Sequence, residues 1–355
     1  MLNLPLSPPL DPMLAKLARE LPDGRFLFEP KWDGFRCIAF RDGDDIHLQS
    51  RNGRNLARYF PELTQPASHT SLLNVLPERI VIDGELVVPT ATGLDFDALS
   101  NRIHPAASRI ERLAADTPAQ FIVFDLLAID NESLINEPFD RRRERLASTG
   151  ATWPAPLHVT PATLDAGQAT DWFHRFEGAG LDGVIAKPLD EPYQPGKRAL
   201  VKVKQERTAD VVVAGFRWHK DGQGVGSLML GLWDGPVLVH VGVASAFSKT
   251  RRHDLVDELA HYRLSSDAQH PWGAGDETPR GANRWNASRD TSWNALEPEL
   301  VAEVAYEQLT GNRFRHSARF RRWRPDRDAH SCAFAQLYVP PPAEINELFT
   351  ANRPN

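Results

Sequence analysis

The sequence predicts an α+β protein of two domains, residues 1–205 and 206–355, the second a small Greek-key barrel of the OB type. Three observations carry this reading. At 355 residues the chain exceeds one compact core, and 41% hydrophobic content is that of a folded globular protein. Up to about residue 205, strand-like apolar segments that carry or end in charged residues are interspersed with helical stretches. After residue 206, short strand candidates follow one another at turn spacing with a single helix among them.

Taken in order, residues 11–20 have the pattern of a short amphipathic helix. Arg25-Phe26-Leu27-Phe28-Glu29 alternates polar and apolar residues and reads as a strand that delivers Lys31 to its end. Cys37 to Phe40 and Ile46 to Ser50 make a hairpin across the acidic turn Asp42-Gly43-Asp44-Asp45, followed by the arginine-bearing turn Ser50-Arg51-Asn52-Gly53. Phe60 to Leu63 and Leu72 to Leu76 read as a helix with a loop. Ile80 to Val88 reads as two strands broken by Asp83-Gly84-Glu85, and Gln120 to Leu127 as a strand buried on both faces. The run Arg141-Arg142-Arg143-Glu144-Arg145 fits the solvated face of a helix. Leu181 to Lys187 and Leu200 to Lys204 are strands again, and in the second Lys202 and Lys204 share one face.

In the second domain the strand candidates are Asp210 to Trp218, Ser227 to Trp233, Val237 to Gly242 and Leu300 to Tyr306, with a helix from Thr250 to Leu264. Residues 265–293, rich in Gly, Pro, Asp and Ser, read as a long mobile loop. Residues 312–327 hold seven arginines and one acid with aromatics interleaved, the pattern of a polyanion-contacting edge.

Composition narrows the function. The net charge of −6 gives no global field for a polyanion, so local patches must meet one. Two cysteines, Cys37 and Cys332, exclude a disulfide framework and a four-cysteine zinc site. No apolar run approaches membrane-spanning length and the N-terminus lacks the form of a signal peptide, so a cytoplasmic, monomeric protein is expected.

The chemistry concentrates in Lys31-Trp32-Asp33-Gly34-Phe35-Arg36. Alone, such a string is a charged turn. With Arg51, Glu85, Asp182, Lys187, Lys202 and Lys204 on neighbouring strand ends it outlines a cleft of cations and a few carboxylates, suited to a nucleotide triphosphate with Mg²⁺. Lys31 would then be either a point-charge phosphate ligand or a nucleophile. Only the neutral amine attacks, and cationic neighbours with partial burial favour that form.

The ordered set 31–36, Ser-Arg-Asn-Gly (50–53), Asp-Gly-Glu-Leu (83–86), Val-Phe-Asp-Leu-Leu (123–127), Asp-Gly-Val-Ile-Ala-Lys (182–187), Val-Lys-Val-Lys (201–204) and Arg-Pro-Asp-Arg (324–327) resembles the covalent nucleotidyltransferases. The likeness is greatest to ATP-dependent DNA ligases of the small bacterial repair type, the ligase C group related to the ligase domain of ligase D. It implies an ATP-grasp-like nucleotidyltransferase domain with antiparallel sheets, then an OB-fold barrel. It further implies Lys31 as the nucleophile that takes AMP from ATP, with Mg²⁺ or Mn²⁺, to seal nicked duplex DNA. Phe124 would stack on adenine with Glu29 at its edge, Asp33 and Arg36 would lie near ribose and lysine, and Arg51 would meet sugar or nick phosphate. Glu85 and Asp182 would reach metal or ribose, Lys202 and Lys204 the α-phosphate, and Lys187 would belong to the same nucleotide cleft. Arg324, Asp326 and Arg327 would serve the pyrophosphate, the barrel swinging about a hinge near Gln205 to Ala209. Asp182 stands where the family usually has Glu, and Arg327 where it has Lys. Bacterial repair proteins, an end-binding protein or a primase-polymerase, are the implied partners. The rival classes are an RNA ligase or mRNA-capping guanylyltransferase, and a non-catalytic nucleic-acid-binding module.

Overall fold

A computed structural model describes residues 2–91, 93–104, 106–176, 179–181, 183–204, 206–264, 270–273, 292–307, 309–337 and 348. The chain divides into two compact units, Met1–Gln205 with Pro340–Asn355, and Glu206–Val339.

The first unit contains β1 (Ala15–Ala18), β2 (Phe26–Pro30), β3 (Phe35–Asp42), β4 (Asp45–Ser50), α1 (Pro61–Thr64) and β5 (Arg79–Val87). The ribbon β6 (Pro89–Thr90) and β7 (Gly93–Leu94), α2 (Phe96–Asn101) and α3 (Ala107–Asp116) follow. Then come β8 (Gln120–Ile129), β9 (Glu132–Ser133), α4 (Phe139–Gly150), β10 (Leu157–Val159), α5 (Ala166–Arg175), β11 (Val184–Pro188) and β12 (Leu200–Val203). Two sheets result, one ordered β1-β12-β11-β2 and one ordered β10-β8-β5-β3-β4 with β9 on β8. Pairing is antiparallel except at the edges, where β1 joins β12 and β10 joins β8 in parallel.

Alternation sorts the second sheet's faces. Cys37, Ala39, Ile80, Ile82, Leu86, Phe121 and Val123 form one core with Phe60, Leu63 and Leu72. The other face contributes Ile38, Phe40, Val81 and Leu127 to a core that also holds Met13, Tyr193 and Leu200. Along that face apolar residues give way to charge: Arg36 precedes Ile38 in β3, and Asp83 and Glu85 follow Val81 in β5. Residues paired across strands face the same way, so the register Arg36↔Glu85 and Ile38↔Asp83 gathers this charge at one end of the sheet.

Four expectations need correction. Residues 11–20 are not a helix: Ala15–Ala18 add a parallel strand to β12, because pairing with an open sheet edge outweighs helix propensity. Leu17 is accordingly 51% exposed. Asp83-Gly84 does not break a strand. β5 runs through it with a register shift against β8, and Gly84 is required because a Cβ there would lie 2.4 Å from the Ile122 carbonyl oxygen. The stretch 60–76 is one four-residue helix and a 3₁₀ turn, Leu72–Asn74. The run 141–145 is not a uniformly solvated face, since Arg142 is fully buried.

In the second unit β13 (Arg207–Trp218), β14 (Val225–Asp234), β15 (Val237–Ala244), α6 (Lys249–Leu259), β16 (Asn294–Ala295), β17 (Val301–Tyr306), β18 (Leu309–Thr310), β19 (Arg313–Phe314) and β20 (Arg319–Trp323) follow in order. The sheet runs β15-β14-β13-β17-β20, and a parallel bridge between Ala244, at the end of β15, and Ala318, just before β20, ties its two edge strands together. Five strands closed this way, with one helix between the third and fourth, form the OB arrangement. Arg207 to Ala209 already pair with Tyr306 to Val304 inside β13, so they are strand, while Gln205 of the proposed hinge lies outside the described residues. Most of the loop read at 265–293 also lies outside them. Its described ends pack, with Trp272 and Trp293 5.8 Å apart and Trp293 buried. Among the described residues no helix is long and apolar enough to cross a membrane.

Candidate active site

Lys31 follows β2 directly and its backbone N–H donates to Gly183 O at 2.8 Å. The next side chain anchors it: Trp32 is buried, and its indole N–H donates to Thr160 Oγ1 at 2.8 Å. Two glycines let the backbones meet here. A Cβ on Gly34 would fall 2.1 Å from the Leu86 carbonyl oxygen, and Gly183, at φ +136°, would place one 2.0 Å from that of Val203. Asp33-Gly34, which alone reads as a charged turn, is thus a site of close main-chain approach.

The cleft beside Lys31 is lined by Glu29, Arg36, Arg51, Glu85, Phe124, Lys187 and Lys202 among others. The β11 register explains part of this convergence, since Glu29 and Lys202 both pair with Ile185 and so face the same side. Asp33 and Lys204 are half-buried but do not line the cleft, and Asp182 lies outside the described residues. Arg324, Asp326 and Arg327 belong to the second unit.

Buried pairs organise the cleft floor. Lys187 Nζ lies 2.8 Å from Glu29 Oε2 and donates to the Phe124 carbonyl at 2.8 Å. Burial pushes the Glu29 carboxyl above its usual range and the Lys187 amine below its own, against their mutual attraction. Glu29 Oε1 is buried with no hydrogen-bond partner. Arg36 makes a bidentate pair with Asp83, 2.6 Å on each arm, and its guanidinium sits 4.4 Å from the Phe124 ring centroid. Burial opposes the Arg36 charge, but Asp83 more than offsets it and the pKa rises. Burial, only partly countered by Arg36 and Lys31, pushes Glu85 up to about 7.

Sequence reasoning missed several contributors. Pro12, Met13, Leu14 and Ala15 form one wall, and Arg198 reaches the rim. Arg143, from α4, approaches Glu29 at 3.6 Å. Asp83 stood inside a motif, yet its role as the buried partner of Arg36 needed the fold. The arginine segment of the second unit is also less bare than its sequence. Arg319 and Arg321 pair with Glu206, Arg322 with Glu303, and Arg324 and Arg327 with Asp210. These acids precede it by many residues, so local counting overstated its free charge.

An amine at a strand end, facing cations over an aromatic floor in a two-sheet unit followed by an OB barrel, is the arrangement of a nucleotidyltransferase. Family models agree: the ATP dependent DNA ligase domain matches residues 11–204, and the ATP dependent DNA ligase C terminal region matches residues 221–327. DNA ligase C2 of Mycolicibacterium smegmatis is 52% identical over 96% of this chain and 97% of its own length. DNA ligase C of Mycobacterium tuberculosis is 49% identical, covering 98% of this chain and 99% of its own. A solved structure from a study of Lig E DNA ligases, 17% identical, superposes with a TM-score of 0.56 over 88% of this chain and 99% of that one, a likeness of fold. The chain belongs to the ATP-dependent DNA ligase family.

Proposed function

We propose that the cleft carries out ATP-dependent sealing of 5′-phosphate/3′-hydroxyl nicks in duplex DNA, with Lys31 as the adenylated residue. The supporting observation is the convergence of Lys31, Glu29, Arg36, Glu85, Phe124, Lys187 and Lys202 on one cleft from separate strands. In the first step the Lys31 Nζ–Pα bond forms, the bond from Pα to pyrophosphate breaks, and the amine's proton leaves to solvent. The adenylyl group then passes to the 5′-phosphate of the nick, and the 3′-hydroxyl displaces AMP. Positioning and charge neutralisation supply most of what such transfers need. On this reading Lys202 meets the α-phosphate, and Arg51 sugar or nick phosphate; both line the cleft.

Glu29 gives the base preference. Its Oε1 is a buried acceptor that makes no hydrogen bond and lies 3.6 Å from Arg143 Nη1, and the exocyclic amine of adenine is a donor that suits such a carboxylate. Guanine presents an acceptor at the corresponding position. Arg324 and Arg327 share Asp210, so a role at pyrophosphate requires exchanging that carboxylate for phosphate. A cytoplasmic location and a setting in DNA repair belong to the same reading.

A divalent cation fits the donor set. Mg²⁺ takes only one or two protein carboxylates with substrate oxygens, and Glu85 offers a carboxylate poised to be stabilised by a dication. When bound, the ion would neutralise phosphate charge. With a folded pKa near 7, Glu85 is ionised above that pH and neutral below it, so lysine adenylation should fall as pH drops through about 7. Raising Mg²⁺ should shift the midpoint downward, because metal competes with the proton. Sign fixes a second readout. Between its ordinary value of 4.5 and about 7 the folded chain keeps a proton the unfolded one loses, so stability falls as pH rises through that window. Glu85→Gln should therefore raise Tm above pH 7 while weakening adenylation. A Tm gain absent from that variant overturns the assignment.

The reaction is tested by incubating the protein and Mg²⁺ with ATP, GTP or NAD⁺ labelled in the nucleotide, then chasing with nicked DNA or nicked RNA. Label from ATP that transfers to nicked DNA is expected. Label from GTP alone indicates a capping enzyme, transfer only to RNA an RNA ligase, and no label a binding module.

A further inference from the structure

We propose that Tyr193 is a positioning residue for the nucleotide, its hydroxyl holding the cleft's arginine and its N-terminal wall in one hydrogen-bonded ring. This rests on the reading of the cleft given above. Tyr193 lies between β11 and β12, 4% exposed, and no motif marks it.

Its hydroxyl accepts from the Met13 backbone N–H at 3.0 Å and donates to Asp83 Oδ2 at 2.6 Å. Asp83, with no exposed surface, clamps Arg36 through both oxygens. Arg36 Nη2 then donates to the Met13 carbonyl at 3.3 Å and closes the ring. Both main-chain groups of Met13 are thereby engaged. Met13 and Arg36 line the cleft, whereas Tyr193 and Asp83 do not, so the tyrosine acts through the other two. The grip extends along the wall: Gln194 N–H meets Met13 Sδ at 3.3 Å, Leu14 N–H donates to Lys197 O at 2.8 Å, and Leu200 N–H donates to Leu14 O at 3.1 Å.

The choice of tyrosine has a physical reason. One atom must accept from an amide and donate to a carboxylate at the same time, inside a core, and a phenol does both. Phenylalanine would fill the same volume and leave the Met13 N–H and one lone pair of Asp83 unmade. Buried groups left so are costly, and here the loss falls on the parts that would hold ribose and phosphate in place. A tyrosine present only for packing would tolerate the exchange.

Tyr193→Phe separates these roles. The expected result is a Tm within a few degrees of the parent, a KM for ATP in Lys31 adenylation raised roughly tenfold, and calorimetric affinity for α,β-methylene-ATP weakened by a similar factor, with kcat changed far less. Asp83→Asn should share the KM defect, and the double variant should lose less than the sum, because both break one ring. A Tyr193→Phe protein whose KM and analogue affinity stay within twofold of the parent, or single effects that simply add, overturns the proposal. A parent protein that neither labels from ATP nor binds the analogue overturns the reading of the cleft and this proposal with it.

Discussion

Replacing Lys31 with alanine is expected to lower covalent labelling from ATP by at least about 10⁴-fold, the order seen when a covalent nucleophile is removed. The two other lysines that line the cleft stand elsewhere on its strands. Lys187 is committed to Glu29 and the Phe124 carbonyl, and Lys202 stands on β12 in the row of Glu29 and Ile185 rather than at the end of β2. The fold should survive, since the Trp32 indole and the Lys31 backbone N–H hold the segment in either protein. Joining of a nick supplied already adenylated bypasses the lysine's bond-forming role and should fall by no more than about tenfold. Gel detection of labelled protein, together with end-joining of that substrate, reads both. Label retained in Lys31→Ala would move the nucleophile elsewhere, and equal loss in both assays would make Lys31 a phosphate ligand instead.

Arg142→Ala is expected to destabilise the first unit by about 3–5 kcal/mol, through a buried charge left alone. Arg142 Nε and Nη2 donate to Asp125 Oδ1 and Oδ2 at 2.8 and 3.0 Å, and the two side chains are 0% and 2% exposed. Nη1 adds a bond to the Glu137 carbonyl at 2.6 Å. Asp125 follows Phe124 in β8, so the pair also fixes the strand carrying the aromatic platform. For a unit of this size the loss corresponds to a fall of roughly 10 °C in the calorimetric transition. The neighbouring Arg141 is the control. Its side chain is 67% exposed and pairs only with Glu144, so Arg141→Ala should cost less than about 0.5 kcal/mol. Arg142→Met with Asp125→Leu should recover part of the loss, because an apolar pair carries no desolvation cost. Equal melting temperatures for Arg141→Ala and Arg142→Ala would refute the argument.

These adjacent arginines show where local reading stops. In sequence, 141–145 is one basic run, and its division into a core residue and surface residues depends on which face of α4 meets β8. The strand at residues 15–18 is a similar case, since an amphipathic decamer became an edge strand only because β12 offered unpaired backbone. The mid-strand glycine at 84 read as a break because the carbonyl it accommodates comes from Ile122. The arginines of β20 and of the segment after it looked unneutralised because Glu206, just before β13, Asp210 of β13 and Glu303 of β17 reach them. By contrast, the hairpin of β3 and β4 was legible from its acidic turn, β8 from its dense apolar run, and the emergence of Lys31 at the end of β2 from alternation.

Most strands, and the residue types that gather at the cleft, were legible along the chain, because side-chain period and turn chemistry are properties of neighbours. The fold, not any local pattern, set which carboxylate holds which cation, that Met13 walls the cleft with Tyr193 hydrogen-bonded behind it, and that Asp33 and Lys204 do not line it. Those outcomes depend on contacts between residues far apart in sequence, where burial makes each unmade polar bond costly, and no local pattern records its eventual partner.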